Sequence, residues 1–238
     1  MSVEPPGGIA LTLIMVCLTV VTGMLDAVSF LALGQVFTAT QTGNLLFLGF
    51  GIAGQGGVPV AATVVSIGAF VLGAALGARV ESGLARLRRP WFPVALITEA
   101  VMLAAAAAAA WQSGPGRGLP PGRRYAVIGL MALAMGMRNV TAMRVSAPDL
   151  TTTVETRAMT ALVSGSPVGR DKRLGYGRHL AGRRLASVGA MFVGGLLGAG
   201  LLGLGTSPML VIALVAATVA ATAFLVPGLA RRRTATGN

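Results

Sequence analysis

Six stretches of about twenty mostly apolar residues run through this 238-residue chain: Ile9 to Leu33, Val58 to Val80, Trp91 to Trp111, Tyr125 to Val145, Leu185 to Leu204 and Pro208 to Leu229. About twenty such residues are what a helix needs to cross the hydrocarbon core. Only 11% of the residues are charged and 54% are hydrophobic, against about a quarter charged in ordinary soluble domains. The fold class expected is therefore an all-α polytopic membrane protein with a single membrane domain over residues 1–238. Trp91 and Trp111 bracket the third stretch as interfacial aromatics would, and the run Ala104 to Ala110 inside it reads as close packing by small side chains.

The chain also repeats itself. Gly23-Met24-Leu25-Asp26-Ala27, followed by Thr38 and Gln41-Thr42-Gly43-Asn44, returns about 113 residues later as Gly136-Met137-Arg138-Asn139-Val140, followed by Thr152 and Glu155-Thr156-Arg157-Ala158. Gly68 to Ala78 matches Gly189 to Ala199 without a gap. Gly73, Gly77, Gly194 and Gly198 make small-xxx-small pairs in that match and read as packing faces. The repeats run over 9–111 and 125–229.

Two further apolar stretches, Thr42 to Gly54 and Thr151 to Val163, are too short to span, since each makes a helix of roughly 20 Å against a core of roughly 30 Å. They are expected to be re-entrant or broken half-helices, covered by protein or water.

Loop charge tests the repeat. Gly51 to Gly57 is uncharged, whereas its counterpart, Gly165 to Arg184, carries Arg170, Lys172, Arg173, Arg178, Arg183 and Arg184. Arg86, Arg88 and Arg89 follow the second span, whereas Gly203 to Ser207, after the fifth, is uncharged. The positive-inside rule then inverts one half relative to the other, which requires an odd number of spans per half. Three spans and one non-spanning segment per repeat fit. Both termini, the basic loop 165–184 and the basic tail 230–238 fall in the cytoplasm. One loop disagrees: Gln112 to Arg124, with Arg117, Arg123 and Arg124, would lie outside.

The net charge of +12 comes from short inter-helix loops rather than a continuous basic face, so nucleic acid is not an expected partner. One cysteine, Cys17, and one histidine, His179, leave no structural zinc, no disulfide framework and no nucleophile–base pair. Neither metal nor cofactor is expected, nor an enzyme, and no nucleotide-binding motif supplies ATP. The N-terminus lacks the basic region and cleavage site of a signal peptide, so the first helix is expected to be retained.

The candidate site residues are polar groups inside apolar sequence. Asp26 and its repeat equivalent Asn139 lie deep in the first and fourth spans, and Glu99 lies midway along the third. Such groups usually face a cavity or a partner. Arg138 is a candidate for contacting an anion or neutralising Asp26, whereas Arg144 is close enough to the interface to snorkel. Gln41, Thr42, Gly43 and Asn44 offer a capped helix start whose N–H groups favour an acceptor, and Thr152, Glu155 and Thr156 are the second copy. If the two starts converge near Asp26 or Asn139, they form a shared polar pocket suited to anionic or acceptor-rich solutes.

At these residues the chain resembles the YoaK family of uncharacterised bacterial inner-membrane proteins. The resemblance covers nearly the whole chain and rests on Gly23, Asp26-Ala27, Phe37, Thr42-Gly43-Asn44, Gly136-Met137, Asn139, Asp149-Leu150-Thr151-Thr152 and Thr156. It differs in having Arg138 where the family carries Gln, and Thr156-Arg157 where it carries Thr-Gly. The resemblance implies a compact multi-span protein of the bacterial inner membrane and no particular substrate. A small secondary transporter or permease, independent of ATP and proton-coupled through Asp26 or Glu99, is the function expected; a membrane-embedded sensor or assembly protein using the same pocket is the alternative, with an intramembrane enzyme the less favoured third reading. Expected partners are the lipid bilayer and a small polar or anionic solute, with a homo-oligomer left open.

Overall fold

The computed structural model describes residues 8–111, 119–145, 159–160, 163–164 and 178–235. Among these residues the chain forms seven α-helices and no strand. They are α1 (Ile9–Val28), α2 (Gln41–Ile52), α3 (Val60–Arg86), α4 (Trp91–Ala109), α5 (Pro121–Arg144), α6 (Arg178–Gly203) and α7 (Pro208–Ala235). A wide π-helical turn, Ser29–Gly34, prolongs α1 and ends at Gln35 in the left-handed region, φ 54°. All but α2 are long and apolar enough to cross a membrane. At twelve residues, α2 reaches about 18 Å. The second short segment expected, Thr151 to Val163, lies largely outside the described residues.

Helices of one repeat pack on helices of the other. A Cβ on Gly73 in α3 would sit 2.1 Å from the Leu133 carbonyl oxygen in α5, and one on Gly136 would sit 2.1 Å from that of Phe70 in α3. At the equivalent places between α1 and α6, a Cβ on Gly194 would sit 2.0 Å from the Val20 oxygen, and one on Gly23 would sit 2.5 Å from that of Met191. Only glycine permits backbones to approach so closely. One turn on, Gly77 lies against Met137 and Gly198 against Met24, so both seams are parallel and in the same register.

The helices that correspond by duplication run in opposite directions. Gly34 at the end of α1 lies beside Arg124 at the start of α5, while Leu18, earlier in α1, receives a hydrogen bond from Arg138, late in α5. Equivalent helices are thus antiparallel, as an inverted repeat demands. At the centre α4 packs against α7, its own counterpart, completing the exchange.

The apolar core between these helices is built from Leu18, Leu25, Leu96, Leu103, Ile128 and Met131, with Val211, Val215 and Val219 from α7. By contrast α3 and α6 turn Val71, Leu72, Phe192 and Leu196 outward, as lipid-facing helices do.

Candidate functional site

Asp26 is buried in the last turn of α1, and both of its oxygens are occupied by a single stretch of chain. The backbone N–H groups of Thr38 and Ala39 donate to Oδ1 at 2.9 and 2.8 Å, and that of Thr40 donates to Oδ2 at 3.1 Å. The Thr38 and Thr40 hydroxyls add bonds of 3.3 and 2.7 Å. The chain therefore leaves α1 at Gly34, reverses at Gln35 and returns eight or more residues down the helix before α2 begins. Without regular structure, residues 37–40 need partners for their backbone polar groups in an apolar setting, and the carboxylate supplies acceptors for three of the N–H groups.

The run from Gln41 to Asn44 holds the other edge of the same stretch. Asn44 Oδ1 accepts from the Phe37 N–H at 2.9 Å, and Asn44 Nδ2 donates to the Phe37 carbonyl at 2.6 Å and to Gln41 Oε1 at 2.8 Å. Gln41 Nε2 donates to the Thr38 carbonyl at 2.9 Å. Ser66 on α3 donates to the Phe37 carbonyl at 2.6 Å. A Cβ on Gly43 would meet the Phe37 ring at 3.0 Å, and that ring clusters with those of Phe30 and Phe47, all three in mutual contact. Each of Gln41, Gly43 and Asn44 is thereby accounted for by one neighbour, Phe37-Thr38.

One expectation needs correcting here. Asn44 does not cap α2: the N-cap is Thr40 with no side-chain bond, Thr42 is exposed, and Asn44 turns back onto Phe37. Residues 37–40 run between Asp26 and Asn44 and have their backbone groups satisfied by both. Asn139 is half-buried on α5. Thr152, Glu155 and Thr156 lie outside the described residues.

A second polar centre joins α1, α4 and α5. Arg138 and Glu99 are both buried, and the guanidinium grips the carboxylate with two bonds, Nε to Oε2 at 2.7 Å and Nη2 to Oε1. Its Nη1 donates to the Leu18 carbonyl at 2.8 Å, beside the Thr22 hydroxyl. Arg138 thus neutralises Glu99, not Asp26. Depth decides the pairing: Glu99 stands about 12 Å from the Trp91 end of α4 and Arg138 about 9 Å from the Arg144 end of α5, which is the same end of the bundle. Asp26 sits about 12 Å beyond Leu18 along α1.

Arg144 does not simply snorkel. Its Nε donates to buried Glu81 Oε2 at 3.0 Å and its guanidinium lies 5.6 Å from the Trp91 ring centre, while Thr141 donates to Glu81 Oε1 at 2.5 Å. At the other end, Arg123 donates to the Ala109 and Trp111 carbonyls, capping α4. The loop that offends the positive-inside rule thus has one of its arginines committed to a helix C-terminus. Arg124 beside it lies over Tyr125, and its enclosed Nε has no hydrogen-bond partner among the described residues. Ser66, Glu81 and Thr22 escaped the sequence reading, and Arg124 entered it only as a loop charge. Of these, Ser66 had a signal, since extending the ungapped match two residues back from Gly68 and Gly189 places it on Ser187 and both are buried.

Among the described residues no group of three His, Cys, Asp or Glu side chains could hold a metal ion. A sequence model of the family described as "Protein of unknown function (DUF1275)" matches residues 14–225. No curated protein matches the chain, and no solved structure does.

Proposed function

The chain belongs to the DUF1275 family of membrane proteins, and we propose that it is a small secondary transporter or permease of the bacterial inner membrane. The observation that carries this reading is the antiparallel relation of α1 and α5, with their glycine seams matched residue for residue. An inverted repeat gives two exchangeable arrangements of the same parts, which is the geometric basis of alternating access. The close seams join α1 to α6 and α3 to α5, whereas α1 meets α5 through side chains, at Gly34–Arg124 and Leu18–Arg138 and in the core between them. Of the buried carboxylates, Glu99 is the better carrier of a coupling proton, because Asp26 is ringed by backbone donors that a protonated carboxyl could not all satisfy. Both termini are assigned to the cytoplasm from the loop charges.

The test is substrate-dependent flux in proteoliposomes under an imposed pH gradient, using a panel of radiolabelled metabolites. Flux abolished by Glu99→Gln supports the reading. Ligand binding without flux across the panel favours the sensor or assembly alternative, for which the saturated clamp around Asp26 is the supporting observation.

A further inference from the structure

The outer face of α3 changes character toward its C-terminal end. Leu72, Leu76, Arg79, Gly83 and Arg86 recur at intervals of three and four residues, which places them on one face of the helix, turned away from the seam at Gly73 and Gly77. Both leucines and both arginines are exposed. Arg79 stands about 28 Å along the helix from Val60 and Arg86 about 39 Å. Against a hydrocarbon core of roughly 30 Å, the first lies at its edge and the second in the headgroup layer. Gly83 lies between them, and a Cβ there would meet nothing within 4 Å. The result is a shallow saddle about 10 Å long with a guanidinium at either end.

We propose that this face is a seat for an anionic phospholipid, with the headgroup phosphate between Arg79 and Arg86 over Gly83 and an acyl chain lying along Leu76 and Leu72. Charge complementarity selects the occupant. Neither ion pair among the described residues involves Arg79 or Arg86, and Glu81, two residues from Arg79, is buried and engaged by Arg144 and Thr141. Arg88 and Arg89, exposed just beyond the helix, add charge of the same sign. Guanidinium groups grip a phosphate through paired N–H donors, and a glycine lets the ligand approach the backbone. Continued past Ala78 and Ala199, the ungapped repeat match puts Gly200 and Ser207 at the places of Arg79 and Arg86. Packing common to the two halves therefore does not call for these arginines. They lie on the side that the loop charges assign to the cytoplasm, where anionic lipids meet basic residues near a span end. The seat does not depend on whether the protein moves a solute.

Native mass spectrometry of the purified full-length protein, released from detergent, counts bound lipids and associated chains together. With phosphatidylglycerol and phosphatidylcholine of the same acyl chains supplied at equal concentration, phosphatidylglycerol should be retained preferentially. Arg79→Gln should lower its affinity by about fivefold, and Arg79→Gln/Arg86→Gln should remove the preference. Both side chains are exposed, so folding is retained. Gly83→Leu keeps every charge, fills the saddle without a clash, and should weaken phosphatidylglycerol by a similar factor. Equal retention of the two lipids would overturn the proposal. So would an undiminished preference in Gly83→Leu, because net charge rather than a seat would then draw the lipid. Soluble glycerol phosphate binding as tightly as the lipid would overturn it by revealing a free-anion site. A dimer that Gly83→Leu dissociates, without any lipid preference, would overturn it by making this face a contact between copies.

Discussion

Gly73→Ala and Gly68→Ala lie five residues apart on α3 and should have opposite effects. The added methyl at position 73 would stand 2.1 Å from the Leu133 oxygen, whereas at position 68 nothing lies within 4 Å. Reaching an ordinary contact of 3.4 Å requires α3 and α5 to part by about 1.3 Å. A gap of that size forfeits roughly half of the dispersion attraction or more where the helices touched, at Gly77 with Met137 among others. Overpacking of this kind costs about 1–3 kcal/mol, and the better helix propensity of alanine returns about 1 kcal/mol. Gly73→Ala should therefore be destabilising by up to about 2 kcal/mol, and Gly68→Ala stabilising by about 0.5–1 kcal/mol. Because the second seam copies the first, Gly194→Ala should match Gly73→Ala. Reversible unfolding in mixed micelles reads all three. Equal stabilities for Gly73→Ala and Gly68→Ala, or a silent Gly194→Ala, would refute the cross-repeat packing.

Asp26→Asn replaces an acceptor by a donor that faces the donors of residues 38–40, so at least one buried bond to a charged group, worth about 1.5–3 kcal/mol, is lost; hydrogen exchange at the Thr38–Thr40 amides should speed up, and unchanged protection would show that the clamp is incidental. In a double-mutant cycle, Arg138→Met alone should cost about 3–5 kcal/mol by stranding Glu99, while the Glu99→Gln/Arg138→Met pair costs much less; additive effects would mean that the pair is uncoupled. Single cysteines at Gln55 and Thr206, on a Cys17-free background, should label from outside the cell and one at Leu87 only after permeabilisation; labelling of Gln55 and Leu87 from one side would break the assigned topology.

Much of the fold was legible because span length and glycine spacing are properties of the sequence itself. The match of Gly73 and Gly77 with Gly194 and Gly198 located both seams, although it could not say that each seam joins helices from different repeats. The polar residues were legible as buried but not as to partner. Asp26 was expected to face a cavity or a partner, and the partners the structure gives it are backbone N–H groups twelve to fourteen residues on, which leave no trace in side-chain chemistry. Arg138 had two carboxylates to choose from, and measuring each one's distance from its helix end would have selected Glu99. Gln41 to Asn44 carried a strong pattern whose recipient, Phe37-Thr38, is read from the backbone rather than from residue type.

Because each seam is shared between repeats, the order of synthesis matters. When the first three spans have been made, Gly23 and Gly73 have no helix to meet, since their partners lie more than fifty residues further on. The growing chain must hold these shallow faces against lipid until α5 and then α6 arrive, so the bundle closes late and through distant contacts. A half-length chain would face the same vacancy for good unless a second copy entered the bilayer upside down beside it. Fusion of the halves into one polypeptide supplies the two orientations in fixed one-to-one proportion, with insertion of every molecule guaranteeing its own complement.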